Sequence, residues 1–298
     1  MDRMPLTPGE AARSLLSRCP MSHLLNRRQS LALLGAGALG SGLLRAQAAR
    51  LEFAAIDHIE FYVSDVEKSR DFFVRLFGNT VKKNTSASKN YLKLGSAYMA
   101  FEKPRTAGGA ITVDHYSASI KSIDMAKVHA HLEARSIPFR DYPSGRDTAV
   151  TDPDGTRTQL SPENGWNILM PPNFTPEAVA MTEEPIFRAT GIEHILLNVT
   201  DQERSAAFYE KFFGPVTSRN NNRIWFQIGA SRVGLLKTPE GQKAGVNHYC
   251  VSAAAFDYDA AVKRLQAMGA KVEPADVAGA PSFRDPDGAL VQVMGPRA

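Results

Sequence analysis

His58 and His115, matched further along by His194 and His248, are the side chains of this chain best suited to chemistry. A neutral imidazole is a nitrogen donor for divalent metal ions and a proton carrier near neutral pH. His58 opens the alternating segment His58-Ile59-Glu60-Phe61-Tyr62-Val63, so that His58, Glu60 and Tyr62 share one strand face and Ile59, Phe61 and Val63 the other. The apolar face packs under a helix, which leaves the histidine face open. The same reasoning groups His115 with Ser117 and Ser119, His194 with Leu196 and Asn198, and His248 with Cys250 and Ser252. A single histidine of this kind is ordinarily a hydrogen-bonded strand residue. Four at matched positions point to a site, although duplication copies residues whether or not they are used. Glu60 is a candidate general base, against the plainer reading of a solvated strand glutamate. Tyr62, Asn198 and Cys250 are candidate substrate contacts, and for Cys250 the commoner state is a buried, inert thiol.

The elements that position these residues come twice. Ile56-Asp57-His58-Ile59, Ser69-Arg70-Asp71-Phe72-Phe73 and Phe77-Gly78 return as Ile192-Glu193-His194-Ile195, Ser205-Ala206-Ala207-Phe208-Tyr209 and Phe213-Gly214. Asp114-His115-Tyr116 returns as Asn247-His248-Tyr249, and Asp152-Pro153-Asp154-Gly155 with Gln159 returns as Asp285-Pro286-Asp287-Gly288 with Gln292. Each copy reads as a strand, a helix with an aromatic face stopped by glycine, and short strands over Tyr91–Leu94 and Tyr98–Phe101, or Ile224–Ile228 and Arg232–Leu236. The order then restarts from His115 or His248, with helices around Met125 to Arg135 and Asp257 to Met268. Every copy is thus two β-α-β-β-β modules of an α+β fold. Between the copies, residues 162–190 hold Pro162, Pro171, Pro172, Pro176 and Pro185, which suits an extended linker wrapped on the surface. The divisions expected are 1–48, 49–161, 162–190 and 191–298.

Residues 1–48 read as an export signal. Arg27-Arg28 precedes an apolar run from Leu31 to Leu44 that is diluted by four glycines, and Ala46-Gln47-Ala48 offers a cleavage point. The run is shorter than the ~20 residues a membrane-spanning helix needs, so no permanent anchor is expected. The paired arginines resemble a twin-arginine signal, which carries folded proteins to the periplasm. Ser30 stands where such signals usually have phenylalanine, which leaves general secretion open. Without the leader, the chain loses six of its 35 basic and two of its 31 acidic residues and becomes neutral. The overall charge of +4 therefore implies no nucleic-acid partner. Cys250 remains as the one cysteine, so no internal disulfide is expected.

Taken together, the opening strand with His58 or His194, the aromatic helix ending in Phe-Gly, the mid-unit His115 or His248 and the Asp-Pro-Asp-Gly turn resemble the vicinal oxygen chelate superfamily. It includes glyoxalase I, fosfomycin-resistance enzymes, bleomycin-binding proteins and extradiol dioxygenases. The resemblance covers about 56–161 and 191–295. It implies tandem domains of paired β-α-β-β-β modules, each curled into an open cup with a divalent metal on its concave face. In the family pattern two histidines and a carboxylate ligate. His58 and His115, or His194 and His248, fall on the histidine positions, whereas the carboxylate position is Gln159 in one copy and Gln292 in the other. The strand that supplies a further glutamate in glyoxalases offers Ala100 and Gly234. Glu102 lies two residues beyond Ala100, and its counterpart is Leu236.

An amide gives a cation a dipole where a carboxylate gives a charge. At an effective dielectric of ~20 and ~4 Å that charge is worth roughly 8 kcal/mol to a divalent ion before desolvation is subtracted. Glu60 could restore it in the first copy. The resemblance implies zinc, nickel, manganese or ferrous iron, and a metal-assisted glyoxalase- or dioxygenase-like enzyme acting on a small molecule with neighbouring oxygens. The alternative is a metal-free sequestration protein of bleomycin-resistance type, which both glutamines favour. Ligand sets within a copy, or exchanged between copies such as His58 with His248 and Gln292, both remain open. Tyr62, Tyr116, Tyr249, Trp166 and Trp225 are the aromatic residues that would shape a pocket. A monomer or homodimer is expected.

Overall fold

The computed structural model describes residues 50–274 and 276–296. The expected export signal, residues 1–48, lies outside the described residues. In the first repeat β1 (Phe53–Tyr62) runs into α1 (Val66–Phe77), then β2 (Val81–Asn84), β3 (Lys89–Leu94) and β4 (Ala97–Glu102). The second module follows as β5 (Thr112–Ile120), α2 (Met125–Ala134), β6 (Phe139–Asp141), β7 (Thr148–Thr151) and β8 (Arg157–Pro162). The linker contributes α3 (Gly165–Ile168) and β9 (Phe174–Glu177). The second repeat comprises β10 (Ala189–Val199), α4 (Gln202–Phe213), β11 (Ser218–Asn220), β12 (Arg223–Ile228), β13 (Ser231–Lys237), β14 (Gly245–Ala253), α5 (Tyr258–Ala267), β15 (Lys271–Glu273), β16 (Ser282–Arg284) and β17 (Leu290–Met294).

Local sequence explains the helices. Asp65 and Asp201 cap α1 and α4, each accepting from the backbone N–H groups two and three residues on, and Gly78 and Gly214 follow their last turns. The aromatic face turns inward: Phe72, Phe73, Leu76 and Phe77 of α1 are buried.

Each repeat builds one sheet. Their orders are β6-β7-β8-β5-β1-β4-β3-β2-β9 and β11-β12-β13-β10-β14-β17-β16-β15. At the centre of the first, β1 pairs antiparallel with β5 and β5 parallel with β8; β10, β14 and β17 do the same in the second. His58, Ser117 and Gln159 thereby lie in one row across the first sheet, and His194, Cys250 and Gln292 in one row across the second. Both cups are closed by modules of a single repeat. The exchanged set of His58 with His248 and Gln292 is not the one the sheets assemble.

The helix-covered faces of both sheets meet in one core. Phe53 packs on Phe213 at 5.1 Å, Phe61 on Tyr249 at 5.2 Å and Phe72 on Phe283 at 6.2 Å, so rings cross between repeats. The Asp-Pro-Asp-Gly turns lock the same junction reciprocally. The first aspartate of each folds its own turn: Asp152 Oδ1 accepts from Asp154 and Thr156, and Asp285 Oδ1 from Asp287 and Ala289. The second crosses over, Asp154 accepting from Thr200 and Arg204 of the second repeat and Asp287 from Ser64 and Ser69 of the first.

The linker is more than a surface strap. β9 extends the first sheet beside β2, Phe187 enters the core, and Trp166 is buried over the first cup. An indole and a phenyl ring bury too much apolar surface to be left on a wrapping segment.

Candidate metal centre

Neighbouring residues of a regular strand face opposite sides, yet here the residue before every one of the four histidines reaches that histidine's ring. Bulges make this possible. Opposite each other, Ile56 pairs with Ala118 and His58 with Ser117, which leaves Asp57 as an extra residue; Glu193 is extra by the same pattern before His194. Between Glu60–His115 and Phe61–Val113 the extra residue is Asp114, and between Leu196–His248 and Leu197–Val246 it is Asn247. An added residue re-aims a side chain. Asp57 Oδ2 accepts from Nδ1 of His58 at 2.8 Å, Asp114 Oδ2 from His115 at 2.7 Å, Asn247 Oδ1 from His248 at 2.8 Å, and Glu193 Oε2 from His194. With Nδ1 held by its neighbour, each ring turns Nε2 toward its cup, where Gln159 Oε1 already lies within hydrogen-bond distance of His115. The periodicity argument missed these partners. Their signal in the sequence is an acid or amide directly before each histidine.

In the second cup the two Nε2 atoms face each other. His194 Nε2 and His248 Nε2 are 3.0 Å apart with rings at 76°. Burial, then Arg232 and Arg223, pushes the His194 pKa down to about 3. Burial, then His194 and Arg223, does the same to His248, also to about 3. At 3.0 Å one ring's N–H can donate to the other, and the same separation suits two nitrogens that share an ion at about 2.1 Å each. Gln292, buried, stands in the same row. Cys250 is fully buried, and burial pushes its thiol pKa far up, which leaves it unreactive. Asn198 Oδ1 accepts from Asn247, so it steadies the His248 partner. Trp225 lies 5.2 Å from the His194 ring, with Arg232 over its other side at 4.4 Å and bonded to Glu193. Gly234 makes that position possible: a Cβ there would stand 2.7 Å from both Trp225 and Leu196.

The first cup repeats the pair and adds charge. His58 and His115 meet at 5.5 Å and 79°, and Gln159 Oε1 lies 2.9 Å from His115 Nε2. Glu60 is buried beside them, ion-paired to Lys89 through Oε2, while its Oε1 is buried without a hydrogen-bond partner. Burial raises the Glu60 pKa, but Lys89 and His115 outweigh it and hold the carboxyl ionised, well below its usual range. Glu60 can therefore offer a cation the negative charge that Gln159 lacks. Glu60, Asp114 and His115 bring ligand atoms within 4.8 Å of one another, as do Glu193, His194 and Cys250. Neither group includes His58, His248 or a glutamine, so what converges by distance in them is His115 with Glu60 and Asp114 in the first cup and His194 with Glu193 in the second, donors of the kind a divalent ion takes.

The aromatic expectations divide. Trp166 and Trp225 cover the two cups, and half-buried Tyr62 lines a cleft of about 230 Å³ between the repeats together with Asn247 and His248. Tyr116 and Tyr249 do not shape a cup. Each follows its histidine on the strand and so turns to the opposite face, where it is fully buried in the shared core.

Comparison with known proteins agrees with this geometry. The profile of the Glyoxalase/Bleomycin resistance protein/Dioxygenase superfamily matches residues 55–160 and 191–293. Similar solved structures include the 2,3-dioxygenase LapB from Pseudomonas sp. KL28, 14% identical, covering 84% of this chain and 94% of that one at a TM-score of 0.63. An extradiol ring-cleaving dioxygenase from B. fuscum is 15% identical over 85% and 74% of the two chains, with a TM-score of 0.62. The Mn(II)-bound glyoxalase from Novosphingobium aromaticivorans is 14% identical over 82% and 83%, with a TM-score of 0.61. No curated protein matches the sequence. At such identities the structures speak for the fold, and the profile, matching both repeats, settles the family. The chain belongs to the Glyoxalase/Bleomycin resistance protein/Dioxygenase superfamily.

Proposed function

We propose that this protein is a metal-assisted, glyoxalase- or dioxygenase-like enzyme acting on a small molecule with neighbouring oxygen atoms. The observation that carries the reading is the facing Nε2 pair of His194 and His248, with both Nδ1 atoms engaged by bulge residues. A divalent ion, whether zinc, nickel, manganese or ferrous iron, would be held by His58, His115 and Gln159 with Glu60 beside them, or by His194, His248 and Gln292. When bound it supplies Lewis acidity and a template for adjacent oxygens. The chain's own part is to orient the imidazoles, to keep His194 and His248 neutral, to exclude water by burying all four, and to hold an ionised Glu60 as proton acceptor in the first cup. Export by the twin-arginine route is part of the proposal, because it allows the ion to be loaded before translocation. Among the described residues no helix is long and apolar enough to cross a membrane.

The test is turnover of catechols and α-dicarbonyl adducts by the metal-loaded protein. Chelation should abolish it, and Glu60→Gln, compared with the wild type at equal metal loading, should lower kcat by about 10²-fold or more. Turnover that survives chelation would overturn the reading. A second reading, metal-free sequestration of a small molecule, draws on Gln159 and Gln292 and on Lys89 already neutralising Glu60. Stoichiometric ligand binding to chelated protein, with no turnover of any probe, would favour it.

A further inference from the structure

The imidazoles of the first cup are almost wholly buried. His58 and His115 are each 4% exposed, and Glu60 and Gln159 are buried with them. Tyr98 of β4 stacks on His58 at 4.5 Å, and the linker closes over that ring: Trp166 and Leu169 pack on Tyr91, Tyr98 and Ala100. A wall strand is held by a full hydrogen-bond ladder. The cover hangs on a few bonds. Gly165 N–H donates to Asp57 Oδ1 at 3.0 Å, and Lys82 Nζ donates to the carbonyls of Trp166 at 3.1 Å and Leu169 at 2.6 Å while lying over the indole at 4.5 Å. The cover's helix is only four residues long and starts from Asn164, whose side chain makes no capping bond.

Asp57 joins cover and site. Its Oδ2 holds Nδ1 of His58, and its Oδ1 holds the cover. We propose that residues 163–170 form a lid over the first cup and that Asp57 is the positioning residue that latches it, so that orientation of His58 and closure of the site are one event. The inference rests on the function proposed above in one respect, that the first cup receives a guest. Gly165 shows how close the latch is: a Cβ there would fall 2.3 Å from Asp57 Oδ2, so any side chain forces the two apart. The second cup differs, because its aromatic cover, Trp225, belongs to strand β12 and is held by the sheet ladder.

Carbethoxylation by diethyl pyrocarbonate, followed residue by residue by mass spectrometry on the full-length, metal-free protein, tests the lid. His129, with a side chain 31% exposed, is the fast internal reference, and His194 and His248 report general loosening. In the wild type, His58 and His115 should react far more slowly than His129. Gly165→Ala and Trp166→Ala should each speed His58 and His115 by about tenfold or more and leave His194 and His248 at their wild-type rates. Unchanged rates in both variants, equal acceleration of all four, or a wild-type His58 as fast as His129 would each overturn the lid. The assay uses neither metal nor substrate, so failure of the metal reading leaves its outcome interpretable.

Discussion

At the scale of single residues, the four positions before the histidines decide what the imidazoles offer. Asp57, Asp114, Glu193 and Asn247 accept a hydrogen bond from Nδ1 and leave Nε2 as the nitrogen facing the cup. Asp114→Ala and Glu193→Ala should each weaken divalent-metal affinity by about 10–100-fold in a chelator competition while leaving the circular-dichroism spectrum unchanged; an unaltered affinity would count against this role. Proton linkage gives a second expectation. His194 and His248 titrate at about 3 when folded against an ordinary 6.5, so between those values the unfolded chain binds two protons that the folded one excludes. Their stabilisation is complete above about pH 6.5 and is lost as pH falls toward 3. Asp285, raised by burial to about 6 from 3.8, works the other way with one proton. The denaturant midpoint of the metal-free protein should therefore drop from pH 7 to pH 5, and the double variant His194→Gln, His248→Gln should flatten most of that slope. A third expectation comes from comparing the repeats. Tyr209 Oη donates to buried Asp152 Oδ2 at 3.0 Å, whereas the counterparts in the other half are Phe73 and Asp285. Phe73→Tyr should supply the missing hydroxyl and raise stability by about 1 kcal/mol in urea unfolding; a lower midpoint would mean the phenol has no partner there.

At the scale of elements, the period-two and helical patterns located the opening strands, the capped aromatic helices and the short strands, because burial on one face leaves a direct trace in residue type. The candidate histidines were legible for the same reason, reinforced by their recurrence. The bulges were not legible. One extra residue shifts a face without changing the composition of the segment, so Asp57 and Glu193 look like ordinary alternating positions, and only cross-strand register exposes them. Trp166 could be named as a pocket aromatic, but which cup it covers was not legible, because a proline-rich stretch carries no periodicity to place its indole. The Asp-Pro-Asp-Gly turns read as turns, while their second aspartates serve as locks between repeats. Asp154 accepts from Arg204 and Thr200, and among the described residues Asp287 accepts across the junction from Ser64 and Ser69. Asp154→Ala should accordingly cost more stability than Asp287→Ala, each within about 1–3 kcal/mol by denaturant titration; the reverse order would show that the crossing bonds do not carry the junction.

At the scale of the whole molecule, duplication has produced two cups on one shared core that keep the same imidazole pair and differ around it. The first has Glu60, Lys89 and a linker cover; the second has Leu196, Arg223 and a tryptophan from its own sheet. The loss of the carboxylate at Gln159 and Gln292 is common to both, so metal binding by the histidine pairs is the point on which the functional reading turns. Elemental analysis of protein purified without chelator measures it directly. The expected result is close to one divalent ion or more per chain, falling in His194→Ala, in His58→Ala, or to near zero when both are changed. Less than a few tenths of an ion per chain, the same in the wild type and in every histidine variant, would contradict the account.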